Sequence, residues 1–206
     1  MAAMTIDEIM RLSPVIPVLI VNDVADAQPI AEALVAGGLR VLEVTLRTSA
    51  ALDVIREMSK VDGAVIGAGT VTNERDLESA LRAGSQFIVS PGLTEALGRA
   101  AKGSGVPFLP GIATAGDIMR GLDLGLDRFK FFPADASGGL RALSALSAPF
   151  GDIRFCPTGG ITEASAPEWL AHPSVLCVGG SWIVPKGPLD RHAITAAAAR
   201  AAALHS

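Results

Sequence analysis

The chain has 206 residues, half of them hydrophobic and 18% charged, which allows a sizeable core and argues against intrinsic disorder. A net charge of −4 offers no basic field, so neither nucleic acid nor an acidic membrane surface is an expected partner. The opening MAAMTIDEIMRLSP lacks a basic stretch followed by an apolar core, and the longest clean apolar run, PVIPVLIV (14–21), is too short to span a bilayer; the expectation is a soluble cytoplasmic protein.

Residues 4–12 read as a short N-terminal helix. After it one pattern keeps returning: a short apolar run ends in Gly, Pro, Thr or Ser, and a helix-like segment follows. The runs are VIPVLIV (15–21), RVLEVTL (40–46), AVIGAG (64–69), QFIVS (86–90), PFLPG (107–111), RFKFF (128–132), IRFCP (153–157) and VLCVGG (175–180). Amphipathic stretches such as PIAEALVAGG (29–38), ERDLESALRAG (74–84) and AGDIMRGLDLG (115–125) lie between them, each ending in the glycine that favours a helix C-terminus. Eight runs alternating with helices predict one α/β domain over 1–206, a (β/α)8 TIM barrel of nearly minimal length. A doubly wound open sheet is the alternative, but no GxGxxG follows the first run.

In such a barrel, chemistry sits at the C-terminal ends of the strands. Alternation along RVLEVTLRT puts Leu42, Val44 and Leu46 toward the helices and Val41, Glu43, Thr45 and Arg47 toward the interior. An inward carboxylate and guanidinium need a partner or a task, and a structural Glu43–Arg47 ion pair is the bland possibility. In RFKFF, Lys130 shares its face with Arg128 and Phe132, while Phe129 and Phe131 point to the helices. Lys130 and Glu43 would then converge from two strands. A gatekeeper lysine on an edge strand is the other possibility, but a closed barrel has no edge. The other lysines have ordinary settings: Lys60 near a helix end, Lys102 before a GSG turn, Lys186 in a Pro-Lys-Gly turn.

CPTGG (156–160) and VGGS (178–181) follow the last two strands, where paired glycines let backbone N–H groups approach an anion and Thr158 and Ser181 add hydroxyls. Cys156 and Cys177 fall in apolar runs and read as free buried thiols. His172, His192 and His205 form no HxH or HExxH spacing, so no metal site is expected.

VLEVTLRT (41–48), GAGTV (67–71), SPG (90–92), LPGI (109–112), FKFFPA (129–134), RFCPTGGI (154–161) and CVGGSW (177–182) together resemble the 2-keto-3-deoxy-6-phosphogluconate (KDPG) aldolases, which also act on 4-hydroxy-2-oxoglutarate. The match runs in order over roughly residues 13–185. The resemblance implies a class I, Schiff-base aldolase of the Entner–Doudoroff pathway, assembled as a homotrimer and needing no cofactor or metal. Its substrates would be small molecules, a phosphorylated 2-keto-3-deoxy sugar acid and pyruvate. By position, Lys130 matches the Schiff-base lysine and Glu43 the general acid/base. Arg47 and Thr70 match residues holding the pyruvate carboxylate, with Pro91 and Phe132 lining that pocket. Thr158, Gly159, Gly160, Gly180 and Ser181 match the phosphate loops. One departure stands out: the first strand reads PVLIV where some members carry a basic residue after PVL. Two readings from other classes remain open: a phosphosugar isomerase or epimerase with Glu43 as base, and a non-catalytic barrel that binds phosphometabolites.

Overall fold

The computed structural model describes residues 4–185 and 187–204, so the expectations for Lys186 and His205 and the extreme ends of the single-domain assignment lie outside the described residues. The chain begins with helix α1 (Ile6–Arg11), shorter than the expected 4–12 because Thr5 caps it. The Thr5 hydroxyl accepts from Glu8 N–H and the Glu8 carboxylate accepts from Thr5 N–H, so two otherwise unpaired donors are satisfied reciprocally. Strands and helices then alternate: β1 (Val15–Leu19), α2 (Ala27–Ala36), β2 (Val41–Thr45), α3 (Ala51–Met58), β3 (Val65–Gly69), α4 (Glu74–Arg82), β4 (Phe87–Val89) and α5 (Glu95–Ser104). The second half continues with β5 (Phe108–Leu109), β6 (Gly111–Ile112), α6 (Ala115–Asp123), β7 (Arg128–Phe131), α7 (Gly139–Ser147), β8 (Arg154–Pro157), α8 (Ala166–Leu170), β9 (Val178–Gly180) and α9 (Arg191–Ala202). No helix among the described residues is long and apolar enough to cross a membrane.

All eight predicted runs contain pairing residues, but they form nine segments in two parallel sheets. The larger sheet has the order β5-β4-β3-β2-β1-β9 and the smaller one β6-β7-β8. The division falls inside the run PFLPG. Pro110 has no N–H to give the ladder, so β5 pairs with β4 on one side of it and β6 pairs with β7 on the other. The run expected at 175–180 becomes a regular strand only at Val178. Isolated bridges Phe155↔Val175 and Thr158↔Gly179 span three steps on one chain segment and four on the other, which leaves one residue bulged. Neighbours in the larger sheet follow chain order, and the first strand pairs with the last through Val15↔Val178. A doubly wound fold keeps its strands in one open sheet, whereas here they divide into two parallel sheets and the first strand pairs directly with the last, which speaks against that alternative.

Two apolar clusters lie on opposite faces of the strands. The larger one packs Leu42, Val44, Phe129, Phe131 and Phe155 against helix residues such as Leu34, Ile55, Leu77, Ile118 and Leu143. The smaller one gathers Ile16, Val41, Val65, Phe87, Val89, Leu109, Cys156 and Cys177, together with Ile9 and Met10 of α1. Both sheets therefore face one interior, and α1 covers its lower end. Arg128, the first residue of β7, anchors that helix through a 2.5 Å ion pair with Asp7. Asp7 is held below the ordinary carboxylate range, chiefly by its hydrogen bond from Arg11 and further by Arg128. Along β2 the inward face changes from Val41 at the bottom to Glu43 and Thr45 above, so polar groups collect at the C-terminal ends of the strands.

Candidate active site

Strand register brings the site together. Glu43 on β2 sits beside Val18 of β1 and Gly67 of β3, while Lys130 on β7 sits between Gly111 and Cys156. The two side chains meet in the interior: Lys130 Nζ lies 3.0 Å from Glu43 Oε1 and 3.3 Å from Oε2. Lys130 is 5% exposed and Glu43 3%, so both charges are out of bulk water. The Phe132 ring stands 5.4 Å from Nζ, close enough for its π face to interact with the ammonium. A buried ion pair is poor evidence for stability, because well-packed apolar replacements are often neutral or stabilising by about 1–4 kcal/mol. This pair nonetheless places an amine and a proton acceptor in contact, the equipment for adding nitrogen to a carbonyl and moving protons around it.

Arg47 is not where alternation put it. β2 ends at Thr45, and the chain turns there, with Arg47 N–H donating to the Thr45 carbonyl at 2.8 Å. Arg47 is therefore exposed, forms no ion pair among the described residues, and leaves Glu43 to Lys130; the structural Glu43–Arg47 pair is overturned. Arg47 instead lines a cavity of about 730 Å³ with Ser181, Ile20, Asn22, Asp23 and Leu189 at the mouth of the strands. Lys130 and Glu43 do not line that cavity. Ile20, at the position of the departure from PVL-basic, is an apolar side chain 50% exposed.

Thr70 follows β3 with φ of 60°, a left-handed backbone uncommon for a β-branched residue. It is held on both sides, by Leu46 N–H donating to Gly69 O at 2.9 Å and Val71 N–H donating to Val89 O at 3.2 Å. Pro91 is exposed, and its carbonyl packs against the Cα of Gly111, the register neighbour of Lys130. The turn after β8 runs through Gly159 (φ 101°) and Gly160 (φ 81°), conformations only glycine adopts without strain. Its carbonyls are engaged: Thr158 O accepts from Ala134 N–H at 2.8 Å and Gly159 O from Asp135 N–H at 3.0 Å. The Gly159 and Gly160 N–H groups donate to no backbone carbonyl among the described residues, which leaves them available to an anion. Thr158 is buried, with its hydroxyl against the Cα of Gly179, so the β8 and β9 turns touch. Gly180 carries the Trp182 ring against its own Cα, and Ser181 between them is exposed. Asp135, beside Gly160, is a site neighbour that the sequence patterns did not single out.

The remaining reactive residues have other employments. Lys60 pairs with Glu57 at 2.6 Å, and Lys102 Nζ donates to the Leu124 carbonyl at 2.9 Å. Cys156 and Cys177 are free, buried thiols in contact; their hydrogen bond, then burial, pushes the Cys177 thiol well above its ordinary range. His172, kept below the usual histidine range by burial, accepts the Ser174 N–H at Nδ1 and joins Ser144 through Nε2 in a loop clip. Among the described residues no three His, Cys, Asp or Glu side chains gather as a metal site would require.

A family model for the KDPG and KHG aldolases matches residues 6–198. The chain is 61% identical over 198 residues to the 2-dehydro-3-deoxy-phosphogluconate aldolase of Zymomonas mobilis, covering 96% of this chain and 95% of that protein. The crystal structure of the KDPG aldolase of Z. mobilis ZM4 with 3-phosphoglycerate is similar at a TM-score of 0.96, with 60% identity over 98% of this chain and 97% of that one. The Legionella pneumophila KDPG aldolase, with pyruvate captured at low pH as a covalent carbinolamine, is similar at a TM-score of 0.93, with 42% identity over 97% and 99% of the two chains.

Lys130→Met alone leaves the Glu43 carboxylate buried without its partner, and stability to urea should fall by about 3–5 kcal/mol. Adding Glu43→Met should recover most of that loss, since an apolar pair fills the same space. A double variant as unstable as the single would locate the cost in packing and not in the stranded charge.

Proposed function

Because the chain belongs to the KDPG and KHG aldolase family, we propose that its aldol cleavage runs through a Schiff base on Lys130 with Glu43 carrying the protons. The reaction is cleavage of 2-dehydro-3-deoxy-6-phosphogluconate to pyruvate and glyceraldehyde 3-phosphate, with 4-hydroxy-2-oxoglutarate as a second substrate. The observation that carries the assignment of roles is the 3.0 Å contact between Lys130 Nζ and the Glu43 carboxylate in a buried interior.

Glu43 accepts a proton from Lys130, and the neutral amine adds to the C2 ketone. The resulting carbinolamine loses water, helped by the proton on Glu43, and becomes a protonated imine. The imine then accepts the electron pair of the C3–C4 bond while Glu43 takes the C4 hydroxyl proton, and the aldehyde leaves. Protonation of the enamine at C3 and hydrolysis release pyruvate and restore Lys130. The imine is the electron sink, so the sequence of steps asks for no metal or cofactor. The carbinolamine captured in the Legionella relative supports this route, since it is the adduct expected of a pyruvate-binding lysine.

Arg47 and Thr70 hold the carboxylate in this reading, with Pro91 and Phe132 beside it. Arg47 offers a fixed charge and a planar fork suited to a carboxylate. Thr158, Gly159, Gly160, Gly180 and Ser181 receive the phosphate, and the 3-phosphoglycerate bound to the Z. mobilis relative supports a phosphate site in the family.

The two sheets are proposed as arcs of one closed eight-stranded barrel. In its support, β5 and β6 are halves of one run interrupted at Pro110, bridges join the β8 and β9 sides, and the interior cluster draws on both sheets. A cytoplasmic homotrimer in the Entner–Doudoroff route completes the proposal. Met119 and Leu122, one turn apart on α6 and 58% and 42% exposed, are apolar surface that association would cover. Sedimentation should give the mass of three chains, and a monomer at micromolar concentration would end the trimer.

Pyruvate with borohydride should leave a stable adduct on the peptide containing Lys130. Mass-spectrometric mapping to another lysine would remove Lys130 from the mechanism, and absence of any adduct would favour an isomerase or epimerase in which the lysine acts without bonding.

Ser181→Ala should lower kcat/KM for the phosphorylated substrate roughly 10- to 150-fold, the worth of a hydrogen bond to a charged group at about 1.5–3 kcal/mol. Cleavage of 4-hydroxy-2-oxoglutarate, which has no phosphate, should change less than about threefold. Equal losses on both substrates in a folded variant would make Ser181 a shaper of the turn instead.

A further inference from the structure

We propose that Gly69 is the positioning residue for the Glu43 carboxylate, an inference that rests on reading Glu43 as the proton carrier. Gly69 is the last residue of β3 and registers with Thr45, while Gly67 registers with Glu43. Val65 belongs to the interior cluster, so Gly67 and Gly69 share its inward face by alternation. The two glycines clear space for different neighbours. A Cβ on Gly67 would run into the Phe87 ring. A Cβ on Gly69 would meet Glu43 alone among its three nearest atoms: it would collide with Oε1 and lie 2.7 Å from Cγ and 2.8 Å from Cδ.

The carboxylate is thus laid across the bare Cα of Gly69 on one side and faces Lys130 Nζ with both oxygens on the other. Its freedom to move elsewhere is small. Glu43 is 3% exposed, and its own strand neighbours on that face, Val41 and Thr45, are fully packed as well. The backbone at Gly69 lies outside the left-handed region, so an alanine there carries no backbone strain. A single methyl group would therefore meet Glu43 first and push the carboxylate out of its two-oxygen contact with Nζ. The proton carrier must reach the nitrogen during imine formation and the C4 hydroxyl during cleavage. A displacement of about 1 Å at such a group is worth on the order of 100-fold in rate.

The test is a double-mutant cycle of Gly69→Ala with Glu43→Ala, read both in kinetics and in thermal melting. Glu43→Ala removes Cγ, Cδ and the oxygens, the atoms the new methyl would meet. In the wild-type background Gly69→Ala should lower kcat about 100-fold, leave KM within about threefold, and lower the Tm. In the Glu43→Ala background the same substitution should change neither the residual rate nor the Tm, because the space is already vacant. If Gly69→Ala does not fold alone but folds with Glu43→Ala, the inference is upheld by the rescue. Equal effects in both backgrounds, or an unimpaired Gly69→Ala enzyme, would overturn it. Full activity of Glu43→Ala would instead sink the role of Glu43, while the melting half of the cycle would still report whether Gly69 seats that side chain.

Discussion

The pairing of Lys130 with Glu43 inside the strands is the constraint on which the rest depends. The residues are 87 positions apart in the chain, and each carries a charge that is costly to bury unless the other is there. Only a parallel arrangement that keeps β2 and β7 in fixed register, with both side chains on the inward face, lets them meet. The apolar floor of Val41, Val65, Phe87 and Leu109, covered by Ile9 and Met10, keeps water from entering beneath the pair. The larger cluster between strands and helices then fixes the strand positions from outside. Placing this amine–carboxylate pair in a dry interior strengthens its electrostatics and leaves one way in, from the C-terminal ends of the strands.

Much of this was legible from alternation. Sorting RVLEVTL and RFKFF into two faces placed Leu42, Val44, Phe129 and Phe131 toward the helices and Glu43 and Lys130 together inside, as the clusters and the ion pair bear out. Alternation failed at Arg47 for a definite reason: it assumes the strand continues, and β2 stops two residues earlier in a turn that sequence periodicity does not mark. The run PFLPG carried its own warning in Pro110, which breaks a ladder while the segment still pairs on both sides. Thr70 and Pro91 came only through family resemblance, because a left-handed threonine and a carbonyl packed on a glycine leave no periodic signal. Gly69 fell within the run AVIGAG and the family-like GAGTV without standing out, and its meaning required both its inward place on β3 and the Glu43 rotamer.

The glycines divide into two kinds of use, and the division follows the chemistry. In the turn after β8, Gly159 and Gly160 supply positive φ, and their N–H groups donate to no backbone carbonyl among the described residues. In β3, Gly67 and Gly69 supply absent volume on the inward face, and an aromatic ring and a carboxylate occupy what a side chain would have filled. The first kind frees backbone N–H groups, which the proposed reaction uses for the phosphate; the second lets a narrow interior hold a long acidic side chain at all.

These arrangements give the site a gradient of wetness. Lys130 and Glu43 lie at the dry base, while Arg47 and Ser181 share the open cavity above, alongside Ile20. In the proposed reaction, charged ends of the substrate are met by exposed groups whose desolvation is cheap, and the carbonyl alone has to descend to the lysine. An apolar Ile20 at the mouth adds no third cation, which leaves Arg47 as the fixed positive charge among the named lining groups. In the proposed reaction, binding energy gathered at the rim is then available to press the ketone against a largely buried amine. Under the proposed roles, that separation of anchoring from chemistry lets the pair stay buried through the reaction.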